Sequence, residues 1–388
     1  RNGEVRILKI FLYLILFFFI CKNLLALNID EAIKNTIENN SKVKIAFEKV
    51  NESKELSIYA SGEKLPDISS SISGTYLNSE TTNLTGTTTP ETFTDSYKIT
   101  ITQNIYNAGI NDLEIERTKV LYNNEIINFK LKIQDLILDA INGYLAVINY
   151  KKSQEATKKN YDSVQKVFQE TKLRYDIGSA TLYDLQKAEA SFANAKTNLY
   201  EAEQNVLISE KSFKRIVGLK PINLEDIIEI ENDLSLEKIF QNSLENNLNL
   251  LQISNNITDK KILILKEENS KKPSLDLSGT GLYSQGGRLD EGTETTSGSV
   301  ALTLNIPLFN KGQDDSNIRK YTSQLMQEEI NLKDYQDDLY ILIANTYKDF
   351  KVSQSQMESN LIVIKSIKTA LISLQEEYQI GTKTISDL

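Results

Sequence analysis

Two tetrapeptides place a hydroxyl three residues ahead of a carboxylate: Thr181-Leu182-Tyr183-Asp184 and Thr384-Ile385-Ser386-Asp387. Groups at that spacing satisfy the free backbone N–H groups of a helix start by reciprocal hydrogen bonds. Capping of a helix start is the role that the spacing gives both Asp184 and Asp387. Covalent chemistry finds few tools elsewhere. The chain has 0 His and a single Cys, Cys21. No imidazole base exists for a serine or cysteine nucleophile, and the usual ligands of zinc, copper or haem are missing. Carboxylate pairs of the glycosidase kind survive that test. However, no Asp/Glu pair sits in an aromatic-rich stretch, and Trp, the common sugar platform, is absent. We therefore expect no enzyme, no cofactor and no metal. Lys151-Lys152 and Lys158-Lys159 read as a solvated helix face.

The 388 residues carry a net charge of −9, the wrong sign for a nucleic-acid binder. Arg1, Arg6 and Lys9 precede an apolar run from Ile10 to Cys21, followed by Lys22-Asn23-Leu24-Leu25-Ala26. That is the pattern of a secretory signal, with cleavage expected after Ala26. The run falls short of the roughly 20 residues that a membrane-spanning helix needs. Bulky Phe19 and Ile20 ahead of Cys21 weaken a lipoprotein reading. A start at Arg rather than Met predicts further residues upstream. Loss of residues 1–26 leaves a net charge of −12 and no cysteine.

The remainder repeats itself. Leu27-Asn28-Ile29-Asp30 through Ile37-Glu38-Asn39-Asn40 returns as Leu234-Ser235-Leu236-Glu237 through Leu244-Glu245-Asn246-Asn247, an offset of 207. The same offset carries Pro66, Gly74 and Tyr76 onto Pro273, Gly281 and Tyr283. An offset of 203 then maps Ile105-Tyr106-Asn107-Ala108-Gly109 onto Leu308-Phe309-Asn310-Lys311-Gly312, and Tyr175-Asp176-Ile177-Gly178 onto Tyr378-Gln379-Ile380-Gly381. The organisation expected is a first repeat at 27–218, a linker at 219–233 and a second repeat at 234–388 that stops before its last helix.

Each copy reads as a short helix, a mid-length helix, two strands and long helices. Strands are expected at about 66–77, 96–106, 274–283 and 298–309. Ile68 and Ile72 anchor the first. Tyr97 to Ile105 alternates, as do Leu275 to Gly281 and Val300 to Ile306. The segments between strands, Asn78–Asp95 and Ser284–Ser297, read as long polar loops. Ten-residue alternating strands with long loops at one end suit an outer-membrane barrel. Four strands cannot close one, so the barrel must be shared between chains. From Gly109 to Tyr175 there is no Pro, and a hairpin of long helices is expected over 109–218, with a matching helix at 314–378. Leu185, Ala188, Phe192, Ala195, Leu199, Ala202, Val206, Ser209 and Phe213 step by 3 and 4, a coiled-coil seam. Gly178 suits the turn between the two helices.

In Ile306-Pro307-Leu308-Phe309-Asn310-Lys311-Gly312, and in the paired tips Arg174-Tyr175-Asp176-Ile177-Gly178-Ser179 and Tyr378-Gln379-Ile380-Gly381-Thr382, the chain resembles the TolC-like outer membrane efflux proteins. The resemblance implies a mixed α/β membrane protein of the Gram-negative outer membrane. It further implies a homotrimer in which four strands per chain build a twelve-stranded barrel in outer-membrane lipid, above a periplasmic α-barrel of coiled-coil hairpins. The implied partners are a periplasmic membrane-fusion adaptor and an inner-membrane pump of the RND, ABC or MFS type, serving efflux or type I secretion. Under the same resemblance, Ile177, Gly178, Ser179, Ile380, Gly381 and Thr382 would meet the adaptor. Asp387 would line the constriction, Lys383 would help hold it shut, and Tyr378 and Asp184 would belong to the same gate. The alternative is an exported coiled-coil adaptor or scaffold with no membrane strands.

Overall fold

The computed structural model describes residues 27–78, 80–83, 86–88, 91–226, 235–288, 291–380 and 382. The leader and the gate candidates Lys383 and Asp387 lie outside the described residues, as does the tip candidate Gly381. The elements run α1 (Ile29–Asn39), α2 (Ser41–Gly62), β1 (Asp67–Asn78), β2 (Thr81–Asn83), β3 (Gly86–Thr88), β4 (Glu91–Tyr106), α3 (Ile110–Asp176), α4 (Leu182–Val217), α5 (Leu236–Asn246), α6 (Leu248–Ser270), β5 (Ser274–Arg288), β6 (Glu291–Asn305) and α7 (Gln313–Gln379). One compact unit takes in the described parts of Arg1–Ala46, Phe129–Gln241 and Tyr340–Leu388. The other comprises those of Phe47–Asn128 and Asn242–Leu339.

In the first unit, the length of α4 follows from its two ends and its seam. Thr181 caps its start, and Gly218 closes its end at φ 86, its N–H donating to the Lys214 carbonyl at 2.8 Å. Lys214 and Arg215 sit in the last turn, where positive charge complements the exposed carbonyls. Between the ends, the seam residues Ala195, Ala202, Ser209 and Phe213 are buried, and Val217 joins them. Small residues on the seam let α3 approach closely. Gly143 of α3 faces the seam, where an added Cβ would meet the Ile216 Cδ1 at 3.6 Å, an ordinary van der Waals contact. The core gathers Ala32 of α1, Ala140, Tyr144 and Val147 of α3, and Phe213 and Val217 of α4. Side-chain amides of Asn35 and Asn40 donate to the Val217 and Ile216 carbonyls, satisfying helix-end acceptors that would otherwise be orphaned.

Lys151 and Lys152 correct the expectation of a merely solvated face. Lys151 pairs with Glu210 of α4 at 2.9 Å and donates to the Pro221 carbonyl at 3.3 Å, while Lys152 pairs with Asp226 at 2.7 Å. Together with the Tyr144 hydroxyl, 2.8 Å from the Leu27 and Glu225 carbonyl oxygens, they fasten the segment that follows α4. Among the described residues, the ion pairs of Lys158 and Lys159 are with Asp162 and Glu155 of their own helix.

The second unit carries a four-stranded antiparallel sheet in the order β1-β4-β5-β6. The segments read as long loops turn out to be largely strand. β5 and β6 pair out to Arg288 and Glu291, and β1 and β4 to Asn78 and Glu91. Within the β1–β4 connection, β2 and β3 form a short ladder of their own. Thr is β-branched and favours extended backbone. A strand wet on both faces shows no apolar alternation, so polarity suggested a loop where the backbone pairs. At its other end β6 stops at Asn305 rather than continuing to 309, because Pro307 has no N–H to offer a ladder. Each pair of strands then enters its long helix through the same turn. Ala108 and Gly109 take φ 56 and 82, and Lys311 and Gly312 take φ 51 and 71. The next N–H donates to the Asn107 carbonyl in one case and the Asn310 carbonyl in the other.

Candidate functional site

Residues directly opposite in an antiparallel ladder share a face, so the register decides which side chains act together. Successive rows across β1, β4, β5 and β6 read Ile68-Ile101-Gly279-Val300, Ser70-Ile99-Gly281-Gly298 and Ile72-Tyr97-Tyr283-Thr296. Below them, Gln103-Leu277-Leu302 and, past a bulge between Asn104 and Tyr106, Tyr106-Leu275-Leu304 continue the same face. All four alternating stripes therefore meet on one side. The rings of Tyr97 and Tyr283 stand together there, 6.0 Å between centroids. The reverse side is Ser and Thr almost throughout, as in the row Ser69-Thr100-Thr280-Ser299.

This apolar face is bare. Ile72 is 74% exposed and Val300 82%. Tyr97 and Tyr106 bound it on β4, and nine residues of strand span about 30 Å, or about 23 Å of height at a 40° tilt. That matches the apolar band of roughly 25 Å, bordered by aromatic residues, of an outer-membrane barrel wall. Beyond the Tyr97 row the same face turns polar with Asp95-Gln285-Glu294. β1 and β6 are the edges of this sheet.

At the far end of α3 the hairpin tip closes in a Schellman turn. The Ser179 N–H donates to the Arg174 carbonyl at 2.7 Å and the Gly178 N–H to the Tyr175 carbonyl at 2.9 Å, with Gly178 at φ 77. The Ser179 hydroxyl also donates to the Arg174 carbonyl, at 3.0 Å. The end of α7 repeats this: the Thr382 N–H and hydroxyl both donate to the Glu377 carbonyl, at 3.0 and 2.8 Å. Ile177, ahead of the turn glycine Gly178, and Ile380, which follows α7, are 79% and 75% exposed. Tyr378 falls in the last turn of α7.

Asp184 makes both halves of a capping box with Thr181. Its carboxylate accepts from the Thr181 N–H at 3.0 Å and hydroxyl at 2.6 Å, while the Asp184 N–H donates to the Thr181 hydroxyl oxygen at 3.2 Å. The hydroxyl first, and then the N–H, hold the Asp184 carboxyl below its ordinary range. The structure thus brings Asp184 into the helix cap beside the tip residues Ile177, Gly178 and Ser179.

A second polar feature escaped the sequence reading. Within the second unit, α3 and α6 meet through a ladder of polar pairs: Lys266 with Glu114 at 2.7 Å, Arg117 with the buried Asp259 at 2.9 Å, Asn255 and Asn256 with Asn124 at 2.8 and 2.9 Å, and Gln252 with Asn128 at 2.8 Å. Burial pushes the Glu114 carboxyl up, but Lys266 and then Arg117 together outweigh it and hold the group below its ordinary range. No apolar stripe announces such a seam. The available signal was polar residues recurring at helical spacing along Glu114, Arg117, Thr118, Asn124 and Asn128.

A family model described as "Outer membrane efflux protein" matches residues 32–219. The outer membrane efflux protein BepC of Brucella suis is 22% identical over 284 residues, covering 72% of this chain and 61% of BepC. The outer membrane protein TolC of Vibrio cholerae is 24% identical over 280 residues, covering 66% of this chain and 60% of TolC. The chain thus spans about three fifths of the length of the curated relatives it matches. Among solved structures, the Campylobacter jejuni CmeC outer membrane channel superposes with a TM-score of 0.76 at 16% identity, over 92% of this chain and 78% of that one.

Proposed function

We propose that the chain, whose residues 32–219 match the model of the outer membrane efflux proteins, is a tunnel subunit in the outer membrane of a Gram-negative bacterium. It conducts substrates passively from a periplasmic adaptor and inner-membrane pump to the exterior and performs no covalent chemistry. The observation that carries this reading is the sheet register, which gathers four bare apolar stripes on one face and Ser and Thr on the other. Such a sheet is stable with lipid on one side and water on the other.

The edges β1 and β6 then require partners, since unpaired backbone groups in hydrocarbon cost several kcal/mol each. Three copies pooling four strands each close a twelve-stranded wall. The matched strand-to-helix turns, the matched helix-end caps at Ser179 and Thr382, and N-caps at Asn40 and Asn247 support two copies of one plan within each chain. Tyr161 and Phe168 of α3 are covered by Phe192 of α4. Their counterparts on α7, Ile364 and Leu371, are 51% and 43% exposed.

In this reading the tips Ile177, Gly178, Ser179, Ile380, Gly381 and Thr382 dock the adaptor through their exposed isoleucines. Asp387, Lys383, Tyr378 and Asp184 form the periplasmic constriction, and widening follows outward movement of the hairpins. The test is native mass spectrometry of protein extracted from outer membranes in detergent. Three copies per particle, with ion conductance after reconstitution, are expected. A monomer released without detergent would overturn the tunnel.

A further inference from the structure

The middle of the polar face carries its charge at one place, while Asp67 and, one row further, Asp276 lie at its helix-proximal end. Its rows read Asp67-Thr102-Ser278-Ala301, Ser69-Thr100-Thr280-Ser299, Ser71-Lys98-Leu282-Ser297, Ser73-Ser96-Ser284-Thr295 and Thr75-Thr94-Gly286-Thr293. Between the Asp67 row and the Arg288–Glu291 turn, Lys98 is the one ionisable residue on this face. It is exposed, and among the described residues it makes no ion pair. Asp67 lies four residues along the neighbouring strand from the row of Lys98, roughly 13 Å away at 3.3 Å per residue, beyond the reach of a salt bridge. Asp95 belongs to the opposite face.

A lysine on an edge strand commonly prevents sheets from adding to one another. β4 is an inner strand with both neighbours in place, so that purpose does not account for it. Nor is Lys98 part of a mixed surface of compensating charges, because its row-mates are Ser71, Leu282 and Ser297. In a chain of net charge −9, a cation isolated in the middle of this face, with the carboxylates of Asp67 and Asp276 only at its end, stands out electrostatically.

We propose that Lys98 forms a ring of three ammonium groups in the lumen that attracts anions and sets the ion selectivity of the outer section of the tunnel. The ligands are small monovalent anions and the carboxylate or phosphate groups of cargo in transit. This rests on the trimeric tunnel described above. Twelve strands spaced about 4.8 Å and tilted about 40° enclose a wall of radius about 12 Å. An extended lysine brings its charge to roughly 6 Å from the axis. That is inside the Debye length of about 10 Å at 0.1 M salt and about two Debye lengths away at 1 M. The ring therefore acts on every ion that passes in dilute salt and is screened in concentrated salt. Charged rings of this kind select ions in other pores.

The test uses the protein purified from outer membranes and reconstituted in planar lipid bilayers. Reversal potentials under a KCl gradient are read for the native protein and for Lys98→Arg, Lys98→Gln and Lys98→Glu. The potassium-to-chloride permeability ratio rises in the order Lys, Gln, Glu, with Arg matching Lys. Coulomb interaction screened over that distance changes the permeability of each ion, in opposite senses, by about five- to tenfold for Gln in 0.1 M salt and by less than about twofold in 1 M. Lys98→Cys is the second probe, and a charged membrane-impermeant thiol reagent lowers its current in steps. Open channels with the same reversal potential in all four proteins would overturn the ring, as would a Lys98→Cys current untouched by the reagent. Absence of trimers or of any conductance in the native protein would instead overturn the tunnel.

Discussion

At the scale of single residues, the tips are held by backbone geometry more than by contacts. Gly178 takes φ 77, and a Cβ there would meet nothing within 4 Å, so Gly178→Ala tests conformation alone. It should cost about 1 kcal/mol, the strain of an L-residue in the left-handed region, read as a lower midpoint of chemical unfolding. Asp184 gives a pH-dependent signature. Its folded carboxyl is held below its unfolded value by the Thr181 hydroxyl and N–H. Its contribution is therefore complete above the ordinary Asp range near pH 4 and is lost as pH falls through the lowered folded value. Hydrogen exchange in the first turn of α4, corrected for intrinsic rates, should rise over that window. In Asp184→Asn it should already be raised at neutral pH and change less with acid.

At the scale of elements, the sequence was most readable where packing is apolar. The seam from Leu185 to Phe213 could be listed from spacing alone, and its members Ala195, Ala202, Ser209 and Phe213 are, with Val217, the buried residues of α4. Phe213→Ala removes a ring that is 0% exposed, between Tyr144 and Val217. It should destabilise by about 3–5 kcal/mol, as large cavities in cores do, seen as a fall in the unfolding midpoint. The polar ladder between α3 and α6 was not readable, because Asn124 finds its partners more than 130 residues away and obeys no apolar period. It too should respond to acid. Glu114 is held below its ordinary range in the folded state, so its support for the ladder is full above about pH 4.3 and lost below the lowered value. Exchange of the α6 amides facing Glu114 should increase over that window, and Glu114→Gln should flatten the dependence.

At the scale of the whole molecule, the two faces of the sheet ask for opposite chemistry. The sequence displayed four alternating strands but not that their stripes coincide, since coincidence is a property of register and a slip by one residue would reverse a strand. Neighbours on β4 make the comparison direct. Ile101→Arg puts a cation on the apolar face and should cost about 2–4 kcal/mol at mid-membrane. Thr100→Arg, one residue earlier, points to the other side and should be tolerated. The measurement is the yield of assembled, heat-resistant protein in outer-membrane fractions. Equal yields from the two variants would mean that neither face meets lipid.

The ladder between α3 and α6 has a thermal consequence. Apolar association owes its strength to water and weakens on cooling, with a large change in heat capacity. A junction made of amides, guanidinium and carboxylates, as between Asn124 and Asn256 or Arg117 and Asp259, carries little of that change. The share of the α3–α6 attraction that these pairs supply should therefore change little between cold and warm surroundings, unlike the burial of Leu250 and Ile262 on α6. A motion that parts these pairs would keep its ease on cooling, where a wholly apolar joint would loosen.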